Sequence, residues 1–296
     1  MAIPSHAQPF QLRSISRADI ATGLYPVLWL MAAWLGDPVA GALPLTAGLD
    51  LGFLLLLGPA RAPVILIGPA AWLISHGGGT AFTVAAAFAP GLAMILVALV
   101  VIRIRPTIVR LRTTRDTALV VFGSAAGSAL GVGLIWLASG ALGNPDPLDP
   151  WRLWGGMTVA AIALVPGLLI LLGPQAHALD RPRPTSPAVT WRRLRTILAR
   201  PDLAVFGGMS FALILPCAAP LGAVPGGALA CYAAPLPLIL LALRAGLPAS
   251  ALGLPLAIVP GLLLAERAGA VPGRDLMIYL ALAGATVLAV GAVISE

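Results

Sequence analysis

The sequence predicts an all-α, polytopic bundle of helices embedded in a membrane, and three observations carry that prediction. Hydrophobic residues make up 59% of the 296 residues and charged residues 10%, whereas a soluble domain carries about 25% charged residues. Mean hydropathy is +0.97, and the apolar stretches approach the ~17–25 residues that cross a bilayer as a helix. The eighteen positive charges are all arginine, and they are unevenly placed. When the apolar stretches are threaded alternately from a cytoplasmic N-terminus, Arg152, Arg267 and Arg274 fall outside. The other fifteen of the eighteen fall inside, which is the asymmetry of the positive-inside rule.

Ten spans follow in order. A polar leader, Met1–Asp19, precedes Ile20–Leu35, which continues as an anchor with no cleavable signal. Val39–Leu57 and Ala62–Ser75 form a short hairpin crowded by Pro44, Pro59 and Pro63, so one of the pair could be re-entrant. Thr80–Ile102 starts after the turn His76-Gly77-Gly78-Gly79 and stops at Arg103. Ala118–Leu137 follows the arginine-rich stretch Arg103–Arg115, and Leu153–Leu172 follows the turn at Gly143-Asn144-Pro145-Asp146. Leu203–Leu221, Ala228–Leu243, Pro248–Leu264 and Leu276–Val293 complete the set, with Arg244 in an inner turn and Ala265–Arg274 in an outer one. An even number of spans returns the C-terminus to the cytoplasm. The chain thus divides into a leader, 1–19, and one membrane domain, 20–296, of a bacterial inner membrane.

The longest loop, 173–202, combines a proline-rich linker with a cytoplasmic interfacial helix. In that helix Trp191, Leu194 and Leu198 share one face, and Arg192, Arg193, Arg195 and Arg200 lie largely off it. Arg103, Arg105, Arg110, Arg112, Arg192, Arg193 and Arg195 read as topology determinants in contact with anionic lipid. A pI of 10.9 would suggest nucleic acid in a soluble chain. Here the basic residues sit in short loops between spans, so no nucleic-acid partner is expected.

Catalytic signatures are absent. His6, His76 and His177 lie in tails or loops with no helical pair for a metal, and no G-x-S-x-G or phosphate-cradling loop occurs. No enzyme activity, cofactor or metal is expected. Cys217 and Cys231 lack C-x-x-C spacing and read as small buried residues, since a disulfide would need matching depth on adjacent helices. Asp50 stands out as an acidic residue near the middle of a span. Placing it there costs ~3 kcal/mol, so a partner, water or protonation must compensate. It is a candidate proton, ion or ligand contact, with Thr46 or Ser128 as a possible hydroxyl partner. Trp29, Trp34, Trp72, Trp151 and Trp154 fall near span boundaries, as in an aromatic belt. Gly123, Ala126, Gly127, Gly131 and Gly133 give one helix a narrow flank, and Gly155-Gly156 another, for close helix packing or a homodimer seam. Leu54–Leu57, Arg61 and Pro63 are faintly repeated as Ile239–Leu243, Arg244 and Pro248.

Several spacings taken together resemble the bacterial membrane-associated sensor domain of the first type, the MASE family. The family's second helix has a small residue before glycine, then glycine, proline and glycine at ten, five and five residues. The counterparts here are Ala47-Gly48, Gly58, Pro63 and Gly68. Arg115-Asp116 resembles its cytoplasmic Arg-Asp; Trp154, Gly156 and Pro166 resemble its Trp, Gly-Asp and distant Pro; Arg244-Ala245-Gly246 resembles its late Arg-x-Gly. The sequence departs from the family at Leu45 and Thr46, which replace two prolines, at Met157 after Gly156, and near Pro90 and Ala93. The resemblance implies a sensory input domain; Asp50, Thr46 and Trp154 are the ligand- or ion-binding candidates of the sequence. The resemblance also implies a cytoplasmic kinase or cyclase output, or a separate partner protein, driven through the last span, Leu276–Val293. The departures imply a signal different from the family's. The alternative from another class is a small-solute transporter or a subunit of a membrane complex, suggested by Asp50 at mid-span and by proline-broken helices.

Overall fold

The computed structural model describes residues 17–36, 43–106, 111, 113–143, 149–176, 195–218, 227–267 and 273–296. The elements are α1 (Arg17–Leu35), α2 (Leu45–Leu57), a 3-10 turn at Pro59–Arg61, α3 (Ala62–Ile65), α4 (Ile67–Ser75), α5 (Ala81–Ile104) and α6 (Thr114–Leu142). They continue with α7 (Pro150–Ala176), α8 (Pro201–Ile214), a 3-10 turn at Leu215–Ala218, α9 (Gly227–Ala233), α10 (Pro235–Arg267) and α11 (Arg274–Ser295). No strand occurs among the described residues. Helices are what an apolar solvent demands of a chain that cannot close a barrel, because each one satisfies its own backbone polar groups.

Among the described residues, five helical stretches are long and apolar enough to cross a membrane: Ala81–Ile104, Thr114–Leu142, Pro150–Leu172, Ala230–Arg267 and Arg274–Ser295. That is the make-up of a multi-pass membrane protein. Ala21–Leu35, Leu45–Leu57, Pro59–Ser75 and Pro201–Ile214 are apolar but shorter. The proline-crowded hairpin is short for a physical reason. Gly58 takes φ 84° after α2, a conformation open to glycine, and Pro59 and Pro63 cannot donate back into a continuing helix. At 13 residues, α2 is about 20 Å long, against ~30 Å of hydrocarbon.

The centre of the bundle is α7, where Met157, Ala160, Ala161, Val165 and Leu169 are fully or almost fully buried. It packs against α2 on one side and α11 on another, with α6 and α10 closing around it. Both principal seams depend on glycine. A side chain at Gly48 would sit 2.7 Å from the Ala160 carbonyl oxygen, and one at Gly155 would sit 2.8 Å from Met277 Cβ. Such approaches let helices touch backbone to side chain, as membrane interfaces favour. The glycine flank of α6 divides between two settings. Gly123 and Gly127 meet Val101 and Met94 of α5, and Gly131 meets Met157 of α7, whereas Gly133 faces open space.

The longest helix is broken. In α10, Gly246 adopts φ 70°, ψ −167°, and Pro248 then opens a second helical segment, where its missing N–H is harmless. Residues expected in two spans, Ala228–Leu243 and Pro248–Leu264, thus lie on either side of this kink. Gly58 at φ 84°, ψ 165° makes a similar break, but it precedes Arg61 whereas Gly246 follows Arg244, so the two breaks do not fall at matching positions of the faint repeat.

Several expectations change. Trp29 is not in an interfacial belt: it is 1% exposed, and its ring covers Gly68 of α4. Of the loop expected to carry an interfacial helix, 177–194 lie outside the described residues, and 195–198 form a helical turn. There Ile197 is buried and Leu198 is 45% exposed, while Trp191 and Leu194 of the expected apolar face lie outside the described residues. Cys231 is disulfide-bonded rather than a free buried thiol, and Cys217 is the other cysteine in the sequence. The leader up to residue 16, Arg110, Arg112, Arg192 and Arg193 lie outside the described residues.

Candidate functional site

Asp50 occupies the middle of α2 and is 1% exposed. An ionisable group this deep needs a donor, and the hydroxyl of Tyr25 on α1 supplies it to Oδ1. Tyr25 is itself buried and held by the Phe53 ring, with centroids 4.2 Å apart. One turn further along α1, Trp29 directs its indole N–H toward the same carboxylate without reaching hydrogen-bond geometry. On the far side, a Cβ at Gly91 of α5 would lie 3.4 Å from Asp50 Oδ2. The site is thus a buried carboxyl that accepts from a phenol, with an indole N–H directed toward it and a glycine of α5 on the other side.

This geometry assigns the partner left open by the sequence. Thr46 is buried one turn before Asp50, but Asp50 is bonded to Tyr25 instead. Ser128 donates to the Ser124 carbonyl at 2.8 Å, within its own helix. Neither Tyr25 nor the inward role of Trp29 was singled out from sequence. The available signal was their i, i+4 spacing, which puts two hydrogen-bonding aromatics on one face of α1. α1 is further tied to the hairpin by Arg61, whose guanidinium donates to the Thr22 hydroxyl.

Trp154 does not join this cluster. It lies on the α6–α7 seam, where Nε1 donates to the Ala125 carbonyl at 3.1 Å. It forms one wall of an open groove of about 570 Å³ that also includes Trp136 and Trp151.

A second polar cluster gathers helix ends. Arg105 at the end of α5 pairs with Asp116 at 2.8 Å, and Asp116 completes a capping box with Thr113 at the start of α6. The Glu296 carboxylate accepts from the Thr114 backbone N–H at 2.6 Å and from its hydroxyl at 2.9 Å. Ser295 Oγ accepts the Leu247 N–H at 2.8 Å. Arg244 meets Asp202 at 3.5 Å. The end of α11 is thus fastened both to α6 and to the kink of α10. Of the expected lipid-facing arginines, Arg103 and Arg195 are exposed and Arg105 is engaged with Asp116.

Fold and site together define a multi-pass helical membrane protein with a buried carboxyl–phenol pair. Comparison of the chain with protein-family models, with curated proteins and with solved structures finds no match.

Proposed function

We propose that the protein is a membrane-embedded sensory input domain. In this reading ten spans cross a bacterial inner membrane with both termini in the cytoplasm. The state of the Asp50–Tyr25 pair is passed to a cytoplasmic kinase, cyclase or separate partner protein. The observation that carries the reading is the position of α7, wedged without slack between the helix bearing Asp50 and the last helix. Contact through Gly48 and Ala160 on one side, and Gly155 and Met277 on the other, leaves α7 no room to absorb a displacement of α2. Shifts of ~1–2 Å are typical of switching helices, and α11 would receive them beside the helix ends gathered around Ser295 and Glu296.

The disulfide supports the orientation. Cys231 lies on α9, at the end of the bundle that the arginine distribution puts outside, and disulfides persist in the periplasm rather than the cytosol.

The test is a fusion. A cyclase domain attached after Glu296, with one to four alanines inserted at the junction, should show activity that varies with insertion phase, since each residue turns a helix by about 100°. Asp50→Asn should change the activity of the responsive fusions. Activity independent of both insertion length and Asp50 would overturn the reading.

A transporter is the second reading, favoured by the half-length α2 with its carboxylate midway, since broken helices near the midplane hold substrate and coupling ions in many transporters. Asp50-dependent solute or proton flux in vesicles reconstituted with the purified chain would establish it.

A further inference from the structure

The groove between α6 and α7 has a composition that selects a ligand class, and it stands apart from the Asp50 site. Its floor is a run of small residues on one face of α6: Ala125, Ala129 and Gly133. A Cβ added at Gly133 would meet nothing within 4 Å, so the floor is open rather than filled by a neighbouring helix. Its walls are three indoles. Trp151 and Trp154 stand at 84° to one another with centroids 6.4 Å apart, and Trp136 faces the groove from α6. Trp151 and Trp136 are 55% and 44% exposed.

Two properties narrow the occupant. The indole N–H of Trp154 is already committed to Ala125, so the deep wall offers a π-face and no spare donor. Asp149, exposed and adjoining Pro150 of the groove lining, holds the Trp151 backbone N–H at 3.0 Å and adds negative charge beside the aromatic walls. Tryptophan faces are the best side-chain partners of a cation lacking hydrogen-bond donors, and the volume is that of a small-molecule pocket. We infer that the groove binds an organic cation with a quaternary ammonium head, its apolar substituent lying along Ala125, Ala129 and Gly133. A neutral lipid tail would use the floor but would gain nothing from perpendicular indoles beside a carboxylate.

The inference is independent of the sensory reading and is tested by binding alone. The full chain in lipid nanodiscs is titrated with radiolabelled benzyltrimethylammonium, with neopentylbenzene, its uncharged isostere, as competitor. Saturable binding is expected. Trp151→Leu should weaken it about tenfold, in line with the loss of one desolvated cation–π contact, and Asp149→Asn about threefold. Gly133→Leu should abolish binding by filling the floor. Trp151 is largely exposed and Gly133 faces open space, so correct folding of both variants can be verified by unchanged melting. Equal competition by the uncharged isostere would make the groove a lipid-tail slot and overturn the inference. So would the absence of saturable binding, or binding indifferent to both Trp151→Leu and Gly133→Leu.

Discussion

Ser295 closes the kink of α10 from another helix: its Oγ takes the Leu247 N–H that the break at Gly246 leaves without an intrahelical acceptor. The same hydroxyl donates to the Gly291 carbonyl at 2.8 Å, and Ser250 donates to the Gly246 and Leu247 carbonyls. A bend that would expose backbone polarity inside the membrane protein is thereby satisfied by two serines.

Ser295→Ala should therefore destabilise the fold by about 1–2 kcal/mol, the cost of stranding a part-buried donor. Glu296→Ala should cost about 0.5–1 kcal/mol as a lost, exposed cap of α6. Unfolding in mild detergent, followed by circular dichroism, checks the order of the two effects. A larger effect at Glu296 would show that the cap matters more than the kink.

Tyr25 and Asp50 should be coupled. Tyr25→Phe leaves a buried carboxyl without its donor and should cost about 1–3 kcal/mol. In the double variant with Asp50→Asn the costs should fall short of the sum by about 0.5–2 kcal/mol. A double-mutant cycle of unfolding free energies in detergent measures this; simple additivity would mean that the hydrogen bond contributes nothing to the folded state.

Two glycine substitutions should diverge. Gly48→Ala drives a methyl into the Ala160 carbonyl at 2.7 Å and should destabilise by about 1–3 kcal/mol through forced helix separation. Gly133→Ala meets no neighbour and should be neutral or stabilising by up to about 1 kcal/mol from helix propensity. Melting temperatures of the two variants in parallel decide the matter.

Orientation can be read chemically. Cys231 should resist alkylation in intact cells until a membrane-impermeant reductant is added. Asn144→Cys should label from outside and Thr185→Cys only after permeabilisation. Reduction should lower stability by about 3 kcal/mol if the bridge closes a loop of about 15 residues. Inverted labelling would reverse the proposed topology.

Helix identity and the hairpin turn were legible in the sequence because hydropathy, proline and glycine act locally. Asp50 was legible because a carboxylate in an apolar run is costly wherever it packs. Its partner was not: Tyr25 is remote in sequence, and the i, i+4 spacing of Tyr25 and Trp29 marks a shared face of α1 without telling what that face meets. Likewise, Gly246 followed by Pro248 announces a break, but Ser295 as its cap depends on how α11 docks. The disulfide of Cys231 depends on relative depth, which composition does not encode.

The shortness of α2 has an electrical consequence. From Asp50 to Leu57 is about 10 Å at 1.5 Å per residue, roughly a third of a ~30 Å hydrocarbon layer. In the proposed topology, with α2 along the membrane normal, Leu57 at the edge of that layer and the potential falling evenly, a proton travelling to Asp50 from the Gly58 turn would cross about a third of the drop. A full crossing is worth ~2.3 kcal/mol per 100 mV, so occupancy of this one carboxyl would be biased by about 0.8 kcal/mol per 100 mV. An energised and a depolarised cell would then hold Asp50 at different proton occupancies without any change in bulk acidity.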